Sequence, residues 1–471
     1  MSVLTLLVDR IAQMVGPNGM ITDPAGMGPY LREERGLYQG RAAAVVRPAT
    51  TDEVAAVVVL CAKAGVPLVP QGGNTGLVGG GIPWEHGGEI VLSTRRLNRV
   101  RAIDPLNYTM TVEAGCVLAE VQAAAAAAGR LFPLSLAAEG SCCIGGTLAT
   151  NAGGLNVLHY GTARDLTLGL EVVLPDGRVW NGLRALAKDN TGYALKHLFI
   201  GAEGTLGIIT AAVLKLFPQP HDVQTALCAL PRVENVLTLL SQVRAASGDA
   251  VTAFELMARP GLAFCLRHLP GVTDPFACAW PWYVLMDLST SNPEAALPAV
   301  CESLLETALT EGVIGDAVIA RGHRQAAALW RIREGIPEAQ KHEGGSIKHD
   351  ISVPVSRVPE FLNRATTAVE EALPGVRVCA FGHVGDGNIH FNLSQPPAMA
   401  REAFLAEWPR LNQVVHDIVR TMGGSISAEH GIGRLKRTEL VRCKDPVEMD
   451  LMRRIKQALD PHTLMNPGKV V

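Results

Sequence analysis

Residues 45–70, VVRPATTDEVAAVVVLCAKAGVPLVP, change character twice within one short span. The opening reads as a short strand. Thr50 followed three positions later by Glu53 is a capping box, which starts a helix running to about Lys63. Gly65 ends that helix, and VPLVP is a buried strand. Residues 89–113 read as short strands, and VLAEVQAAAAAAG (117–129) as a helix closed by Gly129. Strands are expected near 169–174 and 208–217.

After LKLFPQP the texture changes, and the Pro-bounded stretch near 218–221 marks a domain boundary. Beyond it the order is strand, helix (232–246), strand near 251–256, helix and strand (282–289). A strand near 316–320, a helix over 324–342, a strand over 346–353 and a helix over 357–373 follow. This mixture predicts an α+β domain whose antiparallel sheet is covered by helices. The tail from about 401 is mostly helical. The expected divisions are therefore 1–220, 221–424 and a C-terminal helical segment, 425–471.

Between two strand-like runs lies FGHVGDGNIHFN (381–392). Asp386-Gly387 is a signal for a two-residue hairpin turn, because both central positions need positive φ. A turn there sets His383 opposite His390 and Phe381 opposite Asn392. Directly opposed residues on one face have Cβ atoms ~5 Å apart. A lone buried histidine is usually a hydrogen-bonded core residue, but two facing imidazoles compete for protons and gain little packing unless they share a ligand. A second cluster, ISAEHGIGRLK (426–436), sets Glu429 beside His430 among small residues. Taken alone, that pair reads equally well as an exposed helix start. His383, His390 and Glu429 together make a two-histidine, one-carboxylate set, which leaves metal positions open for a substrate.

At 471 residues the chain exceeds one ordinary core, so two or three domains are expected. A composition of 48% hydrophobic and 18% charged residues is that of a globular protein, and a net charge of -3 without a basic tract argues against nucleic acid. The cysteines form no CxxC pair, as suits a reducing compartment. MSVLTLLVDRIAQMVG shows no export or organelle signal, and no stretch of about 20 apolar residues occurs, so a cytoplasmic protein without a transmembrane segment is expected.

Glycine is abundant, at 48 residues, and gathers in QGGNTGLVGGGIP (71–83), EGSCCIGGTLATNAGGL (139–155) and GAEGTLGIIT (201–210). One such cluster is ordinarily a set of turns. Three in one half of the chain, each next to a strand or helix, point to backbone N–H groups arranged around an anion, since glycine allows close backbone approach. Neither a G-x-G-x-x-G fingerprint nor a Walker A loop is present, which disfavours a Rossmann dinucleotide site and an ATPase.

PQGGNTGLVGGGIP (70–83), EAGCVLAEV (113–121), GSCCIGGTLATNAGGLNVLHYG (140–161), DNTGYALKHLFIGAEGTLGII (189–209) and LMNPGK (464–469) occur in that order. Together they resemble the FAD-binding half of the vanillyl-alcohol oxidase/p-cresol methylhydroxylase flavoprotein superfamily. The resemblance implies a PCMH-type domain of two α/β subdomains with FAD between them and a cap domain for substrate. It implies that Gly72, Gly73, Asn74, Thr75 and Gly76, with Ser141, Gly145 and Gly146, meet the pyrophosphate. Gly153, Gly154 and Tyr160 would lie along the cofactor, Glu203, Gly207 and Ile209 near the adenosine, and Asn466 in the terminal block would also contact FAD. Many relatives attach FAD through a histidine in the first loop; Asn74-Thr75 stands here, so non-covalent FAD is expected.

FGHVGDGNIHFN and SAEHGIG are similar to the D-2-hydroxyacid dehydrogenase branch, nearest its D-2-hydroxyglutarate dehydrogenases, with D-lactate and glycolate enzymes as relatives. There the two histidines and the Glu bind Zn²⁺ and the adjacent His is the base, a role implied here for His430. WRIREGIPEA and GGSIKHD bring in Arg333 and Lys348 as carboxylate binders, and Asn392 as a substrate contact. Without the resemblance, both cations read as solvated positions. The 2-hydroxyglutarate enzymes carry Thr four residues after the Arg; Pro337 stands there, so the distal-carboxylate contact departs from the pattern. A soluble acceptor such as electron-transfer flavoprotein, or a quinone, is the implied partner, with a homodimer as a candidate assembly. A flavin-binding subunit without catalysis is the reading from another class; the intact His383, His390, Glu429 and His430 set argues against it.

Overall fold

The computed structural model describes residues 2–471. The chain divides into two compact units. The first holds the residues up to Gly153, Gly161–Gln219 and Glu429–Val471; the second holds Gly154–Tyr160 and Pro220–Ala428.

In the first unit, a four-stranded sheet runs Met20–Ile21, Ala44–Val46, Ile90–Ser93, Leu68–Gln71. Its last three strands are parallel, which requires crossover connections. One of these contains the helix Thr51–Ala64. The Thr50 hydroxyl accepts from the Glu53 N–H at 3.1 Å, while the Glu53 carboxylate reaches back to the Ala49 N–H at 2.7 Å. Gly65 ends the helix in the left-handed conformation, at φ 65°. Val54, Val57, Val58 and Cys61 face inward and pack with Leu68, Ile90 and Leu92. Strands buried on both faces read as continuous apolar runs, as VPLVP does. A five-stranded antiparallel sheet, Val100–Asp104, Thr109–Glu113, Ile208–Lys215, Thr167–Val173 and Val179–Gly182, and a two-stranded pair, Arg130–Leu131 with Phe217–Pro218, also belong to this unit.

The second unit is built on one antiparallel sheet ordered Asp316–Ile319, Asp222–Leu230, Trp282–Thr290, Val251–Ala258, Arg377–His383, Asn388–Ser394 and Ser346–Ile347, with Asp350–Ser352 also pairing Asn388–Ser394. Helices Arg259–His268 and His323–Lys341 cover the sheet through Leu262, Cys265, Leu329, Ile332 and Ile336. The single strand expected over 346–353 is instead two short strands, interrupted at Lys348 and His349. Helix His323–Lys341 contains Pro337. A proline has no N–H for the carbonyl four residues back, so the Arg333 carbonyl lacks its ordinary helical donor.

Candidate active site

A cleft in the first unit is walled by the loop 70–82, the turn and helix around 142–153, residues 203–209, and Glu429 with His430. Two glycine loops touch here. A Cβ on Gly73 would stand 2.2 Å from the Ser141 carbonyl oxygen and 2.8 Å from the Cys142 Cα, so only glycine permits this approach. At Gly76 and Gly146 an added Cβ would meet nothing within 4 Å, and both positions leave open space in the cleft. Among the described residues no lysine or arginine lines it, so a diphosphate there would be held by backbone N–H groups and neutral side-chain donors such as Thr75. Gln71 Nε2 donates to the carbonyls of Tyr30 and Gly81, which fixes the amide, while its buried Oε1 has no hydrogen-bond partner among the described residues. A glycine cradle without lysine or arginine, and with an orphaned acceptor, fits an extended dinucleotide such as FAD.

Gly72, Gly73, Asn74, Thr75, Gly76, Gly145, Gly146, Gly153, Glu203, Gly207 and Ile209 all line this cleft. Several of the expected contacts have other work. Asn74 adopts φ 58°, and its amide donates to the carbonyls of Pro29 and Arg32, bracing the loop. Ser141 does not line the cleft; its carbonyl abuts Gly73. Asn466 is also outside the lining. It is 1% exposed, and its Nδ2 donates to the carbonyls of Gly80 and Glu203, both at 2.9 Å. Gly154 and Tyr160 belong to the second unit.

Glu203 is the residue whose part a sequence reading misses. Its carboxylate accepts the N–H groups of Ile432 at 2.6 Å and Gly433 at 2.8 Å. Burial raises its pKa, opposed by those two donors. The segment that carries Glu429 and His430 is thereby fastened along the cleft.

In the second unit the hairpin carries the two histidines, in a register that differs from the expected one. Phe381 pairs with His390, and Cys379 with Asn392. His383 pairs on its other side with Glu255 of the strand Val251–Ala258. The turn is longer than two residues: it spans 384–387, closed by bonds such as Gly387 N–H to the Val384 carbonyl at 3.3 Å. Gly387, at φ 85°, is also needed because a Cβ would stand 2.1 Å from the Val353 carbonyl oxygen. A two-residue shift of register preserves the face, whereas a one-residue shift reverses it. The rings of His383 and His390 therefore remain neighbours, with centroids 5.7 Å apart.

A carboxylate stands near each ring, and the one at His383 is hydrogen-bonded to it. Glu255, fully buried, lies 2.5 Å from His383 Nδ1, and Asp350 lies 3.8 Å from His390 Nδ1. A carboxylate on Nδ1, as at His383, is the arrangement common around histidine ligands of a metal. Glu255 also accepts the Nε–H of Arg333 at 2.7 Å. Burial acts to raise the Glu255 pKa, but the charges of His383 and Arg333 and their hydrogen bonds outweigh it and hold the group at about 2. Arg333 is 5% exposed, so it is no solvated helix residue, and its guanidinium lies 4.8 Å from the Phe381 ring centre. Asn392 is buried, and its Nδ2 donates to Gln340 at 3.0 Å. Lys348 is half-buried at the break between the two short strands. Glu255 and Asp350 were not legible as partners of the histidines, since each lies far from them along the chain.

Residues 219–470 match the family described as FAD linked oxidases, C-terminal domain, and residues 42–182 match the FAD binding domain. D-2-hydroxyglutarate dehydrogenase of Xanthomonas citri pv. viticola is 38% identical over 449 residues, covering 95% of this chain and 93% of that protein. The mitochondrial D-2-hydroxyglutarate dehydrogenase of Bos taurus is 38% identical over 461 residues, covering 98% and 82%. Among solved structures, p-cresol methylhydroxylase with substrate bound superimposes with a TM-score of 0.77 at 17% identity, over 99% of this chain and 96% of that one. Alkyldihydroxyacetonephosphate synthase gives a TM-score of 0.74 at 19% identity, over 98% and 84%. These two share the fold. The chain belongs to the FAD-linked oxidase family, in the group that contains the D-2-hydroxyglutarate dehydrogenases.

Proposed function

We propose that the protein is an FAD-dependent dehydrogenase that oxidises a D-2-hydroxyacid to its 2-oxoacid, D-2-hydroxyglutarate foremost. His383, His390 and Glu429 are the proposed ligands of a divalent metal, Zn²⁺. The observation that carries this reading is His430 beside Glu429 on the wall of the glycine-lined cleft, held in that segment by Glu203. The chain leaves the second unit at Ala428, whose N–H donates to the carbonyl of Asp350, the strand partner of His390; Glu429 is the next residue.

When bound, FAD supplies the hydride acceptor and Zn²⁺ a Lewis acid that lowers the pKa of the substrate hydroxyl. The protein's own part is position and proton transfer. His430 takes the hydroxyl proton as general base, a role suited to the imidazole pKa range. With its Nε–H held by Glu255, Arg333 offers its terminal NH₂ groups to a carboxylate, while Lys348 adds a point charge. Asn392, fixed by Gln340, contacts the substrate. FAD is bound non-covalently, since the first loop carries Asn74-Thr75 and no histidine. Electrons leave to a carrier such as electron-transfer flavoprotein, or to a quinone.

Pro337 favours a second reading, D-lactate or glycolate as substrate, because it has no hydroxyl to offer a distal carboxylate. Anaerobic titration of the bound flavin with D- and L-2-hydroxyacids separates the two. Rapid bleaching by D-2-hydroxyglutarate supports the first, and faster bleaching by D-lactate the second. A flavin left oxidised by every D-acid would sink both.

A further inference from the structure

We infer that Glu255 is a positioning residue that couples the metal-binding histidine to the carboxylate clamp. One oxygen faces His383 Nδ1 at 2.5 Å and the other accepts Arg333 Nε–H at 2.7 Å, so a single carboxylate sets the orientation of both side chains. This inference rests on the proposed function for the roles of His383 and Arg333, and adds a residue to it.

Three features make Glu255 more than a structural ion pair. It sits in the middle of the buried strand Val251–Ala258, directly opposite His383 in register, so its backbone cannot shift to release either partner. Both of its oxygens are in use and its side chain has no exposure, leaving no solvent to substitute for a lost partner. The far side of Arg333 is set by the Phe381 ring, which itself lies 5.1 Å from the ring of His390. His383, Glu255, Arg333, Phe381 and His390 therefore form one continuous packed chain. A carboxylate at Nδ1 directs Nε2 of His383 to the metal, and one at Nε directs the terminal NH₂ groups of Arg333 to substrate. A displaced Glu255 disturbs both functions together.

The test compares Glu255→Gln and Glu255→Asp with the wild-type holoenzyme. The measurements are Zn²⁺ affinity by chelator competition, FAD content, melting temperature, and KM and kcat for D-2-hydroxyglutarate. The amide of Glu255→Gln can accept from one partner only and turns an N–H toward the other. Zn²⁺ affinity is expected to fall about 10–100-fold, the usual effect of losing such a ligand-orienting group, with a raised KM and unchanged FAD content. Glu255→Asp, which keeps the charge, should recover part of both losses. In a cycle with His383→Ala, the losses of metal affinity should be strongly non-additive. A folded Glu255→Gln protein with wild-type Zn²⁺ affinity and KM overturns the inference and leaves the proposed function standing. Should Glu255→Gln fail to fold, wild-type Zn²⁺ affinity and KM in Glu255→Asp overturn it equally. Absence of Zn²⁺ binding or of D-2-hydroxyacid oxidation in the wild type instead overturns the reading beneath it.

Discussion

Glu203 binds Gly433 through its carboxylate, which accepts that residue's N–H at 2.8 Å and the Ile432 N–H at 2.6 Å. This contact joins residues far apart in the chain and fixes the strand of backbone that follows His430. Gly431, at φ 79°, passes so close that a Cβ there would stand 2.7 Å from Glu203 Oε1. Leaving a buried N–H without its acceptor costs about 1–3 kcal/mol. Glu203→Ala is therefore expected to lower the melting temperature and flavin reduction together, and Gly431→Ala to lower flavin reduction with a smaller loss of stability. Wild-type flavin reduction in a folded Glu203→Ala protein would remove the bracing role.

The base assignment makes a separable prediction. His430→Ala should purify yellow, with FAD retained, while anaerobic reduction of the flavin by substrate slows by about 10²–10⁴-fold. Stopped-flow absorbance of the flavin measures this, and a near-normal rate would exclude His430 as base.

Metal removal distinguishes the hairpin from the cleft. Dialysis against a chelator should abolish D-2-hydroxyacid oxidation without releasing FAD, and Zn²⁺ should restore it. His390→Ala should show the same loss without rescue. Full activity in metal-free protein, verified by elemental analysis, contradicts the metal role.

Contact between the glycine loops predicts a contrast within the first unit. At Gly73 the added Cβ of alanine meets backbone that cannot yield, so Gly73→Ala should lower the melting temperature and lose FAD. Overpacking of this kind costs about 1–3 kcal/mol. Gly146→Ala, where nothing lies within 4 Å, should keep the apoprotein's melting temperature and reduce only FAD affinity.

Acid stability should depend on Glu343, which braces the start of the hairpin strand. Its carboxylate binds Arg377, Arg267 and His268. Burial acts to raise its pKa, but hydrogen bonds from Arg377 and His268 and the charge of Arg267 hold it at about 2 instead of 4.5. A carboxyl whose pKa is lowered by folding stabilises the protein above its unfolded pKa, and that stabilisation is lost as pH falls through the folded value. Glu343→Gln should therefore melt several degrees below wild type at pH 7, with the difference closing between about pH 4.5 and 2. A difference independent of pH in that window would contradict the assignment.

Much of this molecule follows from interactions between near neighbours in the chain. The Thr50–Glu53 cap, the Gly65 helix end and the helices around 232–246, 324–342 and 357–373 depend on spacings of three or four residues, which are written directly in the sequence. The parity of a strand is equally local, so the common face of His383 and His390 was legible even though the turn is longer than its Asp-Gly signal implies. The glycine loops could be read as one cofactor cradle because glycine marks where backbone must come close.

The partners of these groups were decided only by the tertiary structure. Glu255 stands 128 positions from His383, and Glu203 stands 229 from Ile432. No periodicity relates residues so far apart, and several buried carboxylates along the chain were equally eligible on composition. Hairpin register was likewise settled by packing, since Gly387 must clear the Val353 carbonyl from a neighbouring segment. Local sequence dictates which side chains share a face; the assembled sheets dictate which distant charge meets each of them, because a buried polar group keeps its place only where another satisfies it.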